Sequence, residues 1–138
     1  MADPNAVICL GEALIDRLGP LGGDPACDQP VDNRLGGAPA NVACGLARLG
    51  TTVAFVGRVG GDAIGADFQH LFSQRGVDTS TLQLDPSHPT RIVLVRRSGD
   101  GERQFQGFAG DQGDGFADQA LQPVALASAA RWLLVGTI

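Results

Sequence analysis

The sequence predicts an α/β domain whose main feature is a largely parallel sheet flanked by helices. Three observations carry this prediction. Apolar segments of strand length alternate along the 138-residue chain with segments of helical periodicity, as parallel βαβ units require. Hydrophobic residues make up 43% of the chain, which suffices for a buried core. Residues 80–110 instead alternate apolar and polar positions, so we expect a small set of antiparallel strands beside the main sheet.

The chain begins with an extended segment and a long polar connection. Residues 6–18 open as a continuous apolar run, which predicts a buried strand that ends near Gly11, followed by a second short extended piece. Residues 19–35 are rich in Gly, Pro and Asp, and predict a loop with room for a short edge strand. Long connections of this kind are often functional.

Two helices with a strand between them come next. The first helix is predicted from Ala38 to Gly50, with a proline in its first turn, where the missing N–H would be unpaired in any residue. Residues 51–60 are apolar and β-branched, and predict a strand. The second helix follows, with Asp62 as its N-cap and Gly76 as its C-terminal stop.

The last third of the chain changes character. Residues 80–110 predict antiparallel strands around the turn sequence SGDGE, which would flank the main sheet as a lid. Residues 116–130 predict one or two short helices broken at Pro123, and residues 131–138 predict another buried strand. A central strand in that position would leave edge groups and apolar surface without a cover. We therefore expect the fold to be truncated at the C-terminus, as part of a larger protein.

Composition and charge exclude several classes of partner. The net charge is −5 and the basic residues are scattered, so we expect no nucleic-acid partner. No apolar stretch approaches the roughly 20 residues that span a bilayer, so we expect no membrane partner either. The three cysteines, Cys9, Cys27 and Cys44, are odd in number and widely spaced, which favours a reducing cytoplasm. A small molecule or another protein remains as the expected partner.

The absence of lysine excludes two mechanisms within this chain. A Walker P-loop places a lysine on its phosphates, and Schiff-base chemistry requires a lysine amine. The motifs G-x-S-x-G, H-E-x-x-H and C-x-x-C are absent as well. His70 and His88 have no ligand partner nearby in the sequence, so we expect no metal site in this chain and a structural or solvated role for both.

A pair of glycines precedes the first predicted helix. Gly36 and Gly37 would let a ligand approach the backbone at the unpaired N–H groups of the helix N-terminus. Asn41, in the first turn, adds an amide that both donates and accepts hydrogen bonds, a combination suited to a polyhydroxylated ligand. A tight strand-to-helix turn, with Asn41 bonded to local backbone, is the alternative interpretation.

Two further segments have both a functional and a structural interpretation. Asp16 follows the first strand, where ligands of α/β sheets bind, and its carboxylate can accept two hydroxyl hydrogen bonds; it could equally be a cap or turn residue. The glycine-rich residues 57–65 lack the G-x-G-x-x-G spacing, which favours a turn and a helix start over a phosphate loop.

Taken together, these segments resemble the amino-terminal half of the ribokinase-like, PfkB-type carbohydrate kinases. The resemblance rests on the segments GEALID, GGAPANVACGLARLG and GRVGGDAIGADF, and it runs over essentially the whole chain. Positions that fall at the spacing of the family's first signature are Gly36, Gly37, Pro39, Asn41, Ala43, Gly50 and Gly60. Among the family's branches, the wording is most similar to fructokinases.

The resemblance implies a fold, a site and a reaction. The fold is a parallel α/β sandwich with a small β-strand lid, supplied by residues 19–35 and 80–110. Residues implied to bind the sugar are Asp16, Gly36, Gly37 and Asn41, with Arg103, Phe105 and Phe108 as candidates on the lid. The alternative for the three lid residues is strand packing and a solvated charge. The lid strands would also allow a homodimer.

The resemblance places the catalytic machinery outside this chain. The family's second signature, Gly-Ala-Gly-Asp, has no counterpart in the sequence, nor have the ATP pocket and the acidic motif associated with Mg²⁺. We expect ATP and Mg²⁺ to serve the parent enzyme, and residues 1–138 to be an inactive amino-terminal portion that lacks the ATP-binding half. The expected reaction is transfer of the γ-phosphoryl group of ATP to a sugar hydroxyl, and the similarity to fructokinases indicates fructose as the sugar. A non-catalytic sugar-binding module and a nucleoside kinase of the same family are the alternatives.

Overall fold

The computed structural model describes residues 6–126 and 130–136, and these form two four-stranded sheets with two α-helices. In chain order the elements are β1 (Val7–Leu10), β2 (Leu14–Leu21), β3 (Asp32–Gly36), α1 (Ala38–Arg48), β4 (Val53–Gly60), α2 (Ala63–Arg75), β5 (Leu82–Asp85), β6 (Ile92–Arg97), β7 (Arg103–Ala109), a 3-10 helix (Ala117–Ala120) and β8 (Trp132–Val135). Neither α-helix is long and apolar enough to cross a bilayer.

The main sheet has the order β5-β4-β1-β8, and every neighbouring pair in it is parallel. Both helices cover one face of this sheet, because its alternate apolar side chains need a dry partner. Phe55 of β4 packs against Phe72 of α2 with ring centroids 4.8 Å apart, and Phe68 lies 5.6 Å from Phe72. All three rings are fully buried, so they form the centre of the core.

The second sheet, with the order β3-β2-β6-β7, is called the lid sheet below. It is mixed, because β2 pairs with β3 in the antiparallel sense and with β6 in the parallel sense, whereas β6 and β7 are antiparallel. One face of it is apolar: Ile15, Ile92 and Leu94 cluster there against Ile64 of α2. The chain crosses from the main sheet into the lid sheet between β1 and β2, so the ends of the two sheets meet at residues 11–13.

The local signals in the sequence are confirmed. Asp62 is the N-cap of α2 and accepts a hydrogen bond of 2.9 Å from the backbone N–H of Gly65, while Gly76 ends that helix in the left-handed conformation. Proline lies in the first turn of α1, and α1 ends at Arg48, just before Gly50 with its positive φ. The fold class, with a largely parallel sheet and flanking helices, is as predicted.

Three predictions about the segments are confirmed only in part. The extended chain of β2 continues to Leu21, so the polar connection is shorter than residues 19–35, whereas the short edge strand expected within it is present as β3 at the edge of the lid sheet. Residues 82–85 of the predicted lid segment 80–110 pair in parallel with β4 in the main sheet, since their alternation fits either sheet equally well. In the described part of residues 116–130, one short helix lies before Pro123 as predicted, but it is a 3-10 helix and no second helix follows. Residues 127–129, like 137–138 of the predicted last strand, lie outside the described residues.

Asp62 also connects α2 to the lid sheet. Its carboxylate accepts hydrogen bonds from the backbone N–H and the hydroxyl of Thr90, at 2.8 and 2.9 Å, just before β6 begins. Burial acts to raise the pKa of Asp62, but the bonds from Thr90 and Gly65 outweigh it and hold the pKa below its ordinary value. The carboxylate therefore connects the N-terminus of α2 to the segment that leads into β6 of the lid sheet.

Replacing Asp62 by alanine is expected to lower the free energy of unfolding by about 2 kcal/mol, because a cap and two further bonds are lost. Urea denaturation followed by circular dichroism measures the loss, with Asp67→Ala on the exposed face of the same helix as the matched control. Because the pKa of Asp62 is lowered, its stabilisation is present above about pH 4 and is lost as the pH falls. Equal denaturation midpoints for the two variants would contradict this role.

Candidate functional site

The predicted sugar-binding carboxylate lies on the lid sheet, directly beside the glycine pair. Asp16 is half-buried on β2 and Gly36 ends the neighbouring strand β3. The two approach so closely that a Cβ atom on Gly36 would lie 2.6 Å from Oδ2 of Asp16. Any larger residue at position 36 would therefore occupy the space in front of the carboxylate, and glycine keeps that space open.

Gly37 turns the chain from β3 into α1. Its φ of 97° lies in the region that favours glycine, and a Cβ there would lie 2.5 Å from the carbonyl oxygen of Glu12. Gly37 is the N-cap of α1 and has no side chain to cover the helix N-terminus, which follows Gly36 directly in the chain. The strand end, the turn and the helix start thus bring donors and a carboxylate together.

Asn41 lies in the first turns of α1, where its backbone N–H donates to the carbonyl of Gly37 at 2.9 Å. Its side chain is exposed, and it makes no hydrogen bond with any of the described residues. The alternative in which the amide serves the local backbone is therefore not what the structure shows. Within the described part of the chain the amide is thus left open to solvent or to a ligand.

The electrostatic environment of Asp16 opposes its charge. Burial raises the pKa of the Asp16 carboxyl, and the positive charges of Arg103 and Arg34 act in the opposite direction without cancelling that effect. Arg34 is itself paired with Asp32 on β3. The negative charge of Asp16 is thus incompletely compensated by groups of the protein. This is expected of a carboxylate that accepts hydrogen bonds from a ligand.

The two lid phenylalanines share the face of the lid sheet that carries Asp16. Val93 of β6 is in register with both Asp16 and Phe108, so the last two lie on the same face with one strand between them, about 10 Å apart. A register shift in β7 places Phe105 on that face as well, with its ring centroid 5.3 Å from that of Phe108. Without the shift, residues three positions apart would face opposite sides.

The three predicted lid residues differ in their exposure. Arg103 is exposed at the start of β7 and acts on Asp16 through its charge. Phe105 is 66% exposed and Phe108 is 39% exposed. Phe105 lines a second cavity of about 680 Å³ at the outer edge of the lid, together with Asp24 and Arg96.

A cavity of about 530 Å³ opens where the carboxyl ends of β1 and β8 face the lid sheet. Such a volume suits a small ligand. Its charged and aromatic lining residues are Glu12, Arg91, Phe108 and Asp118. Of the seven predicted site residues only Phe108 lines it, but the backbone of Glu12 touches Gly37, so the cavity and the glycine pair are adjacent.

The sequence interpretation missed Glu12, Arg91 and Asp118. Glu12 carried a signal, because a carboxylate interrupts the apolar run of residues 6–18 just after the end of β1. Arg91 and Asp118 carried none, since the contact between them joins residues 27 positions apart and nothing in either neighbourhood indicates it.

The glycine-rich residues 57–65 have the structural role that their spacing favoured. The backbone N–H of Gly60 donates to the Thr90 hydroxyl, that of Gly61 to the Asp85 carbonyl, and that of Gly65 to Asp62. These N–H groups are satisfied within the protein, so they are not available to a phosphate. His88 is likewise structural, with Nδ1 2.8 Å from the buried carboxylate of Asp85.

Comparison with known proteins agrees with the fold and identifies the family. The pfkB family of carbohydrate kinases matches residues 5–138, and the chain belongs to that family. Fructokinase of Klebsiella pneumoniae is 40% identical over 131 residues, which cover 94% of this chain and 39% of that enzyme.

Two solved structures show the same relation. Fructokinase of Xylella fastidiosa with bound ATP superposes with a TM-score of 0.66 at 36% identity, over 83% of this chain and 34% of that one. Fructokinase of Vibrio cholerae in a form bound to fructose, ADP and calcium ion gives a TM-score of 0.65 at 34% identity, over 87% and 36% of the two chains. The chain therefore spans about a third to two fifths of the length of these relatives.

Proposed function

We propose that the chain is the sugar-binding and lid portion of an ATP-dependent sugar kinase, and that the sugar is fructose. The observation that carries the proposal is the placement of Asp16 against Gly36 at the start of α1. A carboxylate, a helix N-terminus and the free amide of Asn41 offer acceptors and donors to adjacent hydroxyl groups. The names of the relatives support fructose, and the Vibrio cholerae structure holds fructose together with ADP.

Each residue has a stated part in this proposal. Asp16 accepts hydrogen bonds from two sugar hydroxyls, while Gly36 and Gly37 provide the space and the backbone for close approach. Asn41 donates to or accepts from a further hydroxyl. On the lid, Phe105 and Phe108 cover the apolar side of the sugar and Arg103 contributes positive charge. Held in this way, a hydroxyl is oriented for attack on a phosphoryl group, and a closed lid keeps water from competing with it.

The phosphoryl donor binds elsewhere in this proposal. Within the part of the chain that the structure describes, no three His, Cys, Asp or Glu side chains come together as a metal site. The residues here therefore do not fit Mg²⁺, and we route no step through it. We place the catalytic base and the sites for ATP and Mg²⁺ outside residues 1–138. We also propose a cytoplasmic location and homodimerisation through the lid strands, where Phe105 is exposed.

A coupled assay of ADP release tests the proposal on the 138-residue chain and on the complete gene product. Fructose, ribose, glucose and adenosine are each offered with Mg-ATP. We expect turnover by the complete product only, with fructose preferred. Preference for adenosine would establish the nucleoside kinase instead. Sugar binding by calorimetry without turnover in either form would identify a non-catalytic sugar-binding module.

A further inference from the structure

A buried ion pair closes one wall of the 530 Å³ cavity. Nε of Arg91 lies 2.7 Å from Oδ2 of Asp118, and Nη2 of Arg91 lies 2.8 Å from Oδ1. Both side chains are only 11% exposed. This two-point contact holds the guanidinium in one orientation, because its planar fork matches the carboxylate.

Two aromatic rings cover the faces of the same guanidinium. The Cζ atom of Arg91 lies 4.5 Å from the ring centroid of Phe108 and 4.4 Å from that of Phe116. Stacking of this kind is favourable for arginine and leaves its N–H groups available in the plane. With both faces covered and one edge paired to Asp118, the only edge left is the one that carries Nη1.

Nη1 of Arg91 carries two N–H donors. Among the described residues none accepts a hydrogen bond from it, and it is not among the buried polar atoms that lack a partner, so it is accessible. Arg91 lines the cavity, so a ligand bound there could accept hydrogen bonds from these donors. Hydrogen bonding to Asp118 raises the pKa of Arg91, so the guanidinium stays charged.

A matching acceptor lies in the same cavity. Glu12 is 8% exposed, lines the cavity and makes no side-chain hydrogen bond with the described residues. Its negative charge acts on Arg91, which places the two groups within electrostatic reach of each other. Nη1 of Arg91 and the carboxylate of Glu12, neither of which is hydrogen-bonded to a described residue, form a second polar set beside that of Asp16.

The register of the lid sheet places the two sets within reach of one small ligand. Arg91 is two residues from Val93, which is in register with Asp16, so Arg91 and Asp16 lie on the same face about 8 Å apart. This distance is comparable with the length of a hexose.

We propose that Arg91 determines which sugar the site accepts, by donating from Nη1 to one hydroxyl oxygen of a sugar that lies between Asp16 and Glu12. Asp118, Phe108 and Phe116 are positioning residues for that donor. The inference rests on the proposed function, because it names a specificity residue of the same site. It adds a contact from outside the signature segments, held by residues that are distant in the sequence.

The test measures dissociation constants by calorimetry on the complete gene product, with fructose and each of its monodeoxy analogues. We expect Arg91→Met to weaken fructose binding about tenfold, the loss of one hydrogen bond to a charged group. One analogue lacks the hydroxyl that Arg91 binds, so it should bind the unaltered protein about tenfold more weakly than fructose does. The same analogue should bind Arg91→Met and the unaltered protein with equal affinity. Arg96→Met, at the outer edge of the lid, is the matched control and should leave all these constants unchanged.

Arg91→Lys guards against a folding defect, because it keeps the charge beside Asp118 and loses the fork. It should show the same selective loss, with a lowered melting temperature that still lies well above the temperature of the titration. A uniform loss for every analogue would mean that Arg91 only holds the lid, and no loss at all would mean that it does not contact the sugar; both results overturn the inference alone. If the unaltered protein binds no sugar, the proposed function fails and the inference fails with it.

Discussion

Replacing Asp16 by asparagine is expected to weaken sugar binding at least about a hundredfold, and at the same time to raise the melting temperature at pH 7. The loss of binding follows from two hydroxyl hydrogen bonds to a charged acceptor, each of about 1.5 kcal/mol or more. Asparagine has the same shape but offers one neutral acceptor and turns donors toward the sugar hydroxyls.

The gain in stability follows from the raised pKa of Asp16. Burial disfavours the ionised form in the folded chain, so Asp16 stabilises the fold below its ordinary pKa and loses that contribution as the pH rises through the raised value. At pH 7 the carboxylate therefore costs stability that asparagine does not. The advantage of Asp16→Asn should shrink as the pH is lowered toward 4, where the wild-type carboxyl becomes neutral.

Calorimetric titration with fructose and thermal melts at pH 7 and pH 4 check both parts. Asp32→Asn is the matched control, because Asp32 is an exposed carboxylate on the neighbouring strand and is paired with Arg34. It should leave the affinity within about twofold, since exposed pairs contribute little. Unchanged fructose affinity in Asp16→Asn would remove Asp16 from the site, and a lower melting temperature would show that the carboxylate serves the fold instead.

The features that the sequence predicted well are those whose causes are local. The N-cap Asp62, the C-terminal stop Gly76 and the glycine pair before α1 act through backbone geometry within a few residues, and each lies where the pattern indicated. The alternation of strands and helices is also local in origin, which is why the parallel main sheet could be predicted.

The features that the sequence did not predict depend on contacts between distant segments. The pattern in β5 is compatible with either sheet, and only its packing beside β4 decides between them. The contacts of Arg91 join the start of β6 to Phe116 and Asp118. In the sequence, an arginine that precedes a strand gives no indication of whether it is solvated or buried. The family resemblance indicated Asp16 through the segment GEALID, whereas no motif indicated Arg91 and Asp118 in the lining of the cavity.

Each α-helix contains a glycine, and only the glycine of α2 is required by a close contact with the neighbouring backbone. Gly65 lies in the first turn of α2, and a Cβ on it would collide with the carbonyl oxygen of Gly60, where β4 ends. Gly45 lies within α1, and a Cβ there would meet nothing within 4 Å. Both glycines have helical neighbours, so a rule based on helix propensity alone would treat them alike.

Gly65→Ala is expected to destabilise the chain by about 3 kcal/mol, because a backbone oxygen cannot move aside as the end of a side chain can. The added methyl group would push α2 away from β4 and strain the Asp62 cap, which receives the N–H of Gly65. Gly45→Ala, the matched control, is expected to stabilise by up to about 1 kcal/mol, as alanine does in an open helix.

Urea denaturation measures the change in the free energy of unfolding for both variants. The sign of that change shows whether Gly65 is required by its close contact with Gly60 or is an ordinary helical glycine. Opposite signs would show that the glycine of α2 is required by its approach to the end of β4. That approach also sets the position of Thr90, whose hydroxyl bonds the N–H of Gly60 and whose backbone leads into the lid sheet. Stabilisation by both substitutions would mean that α2 can shift freely.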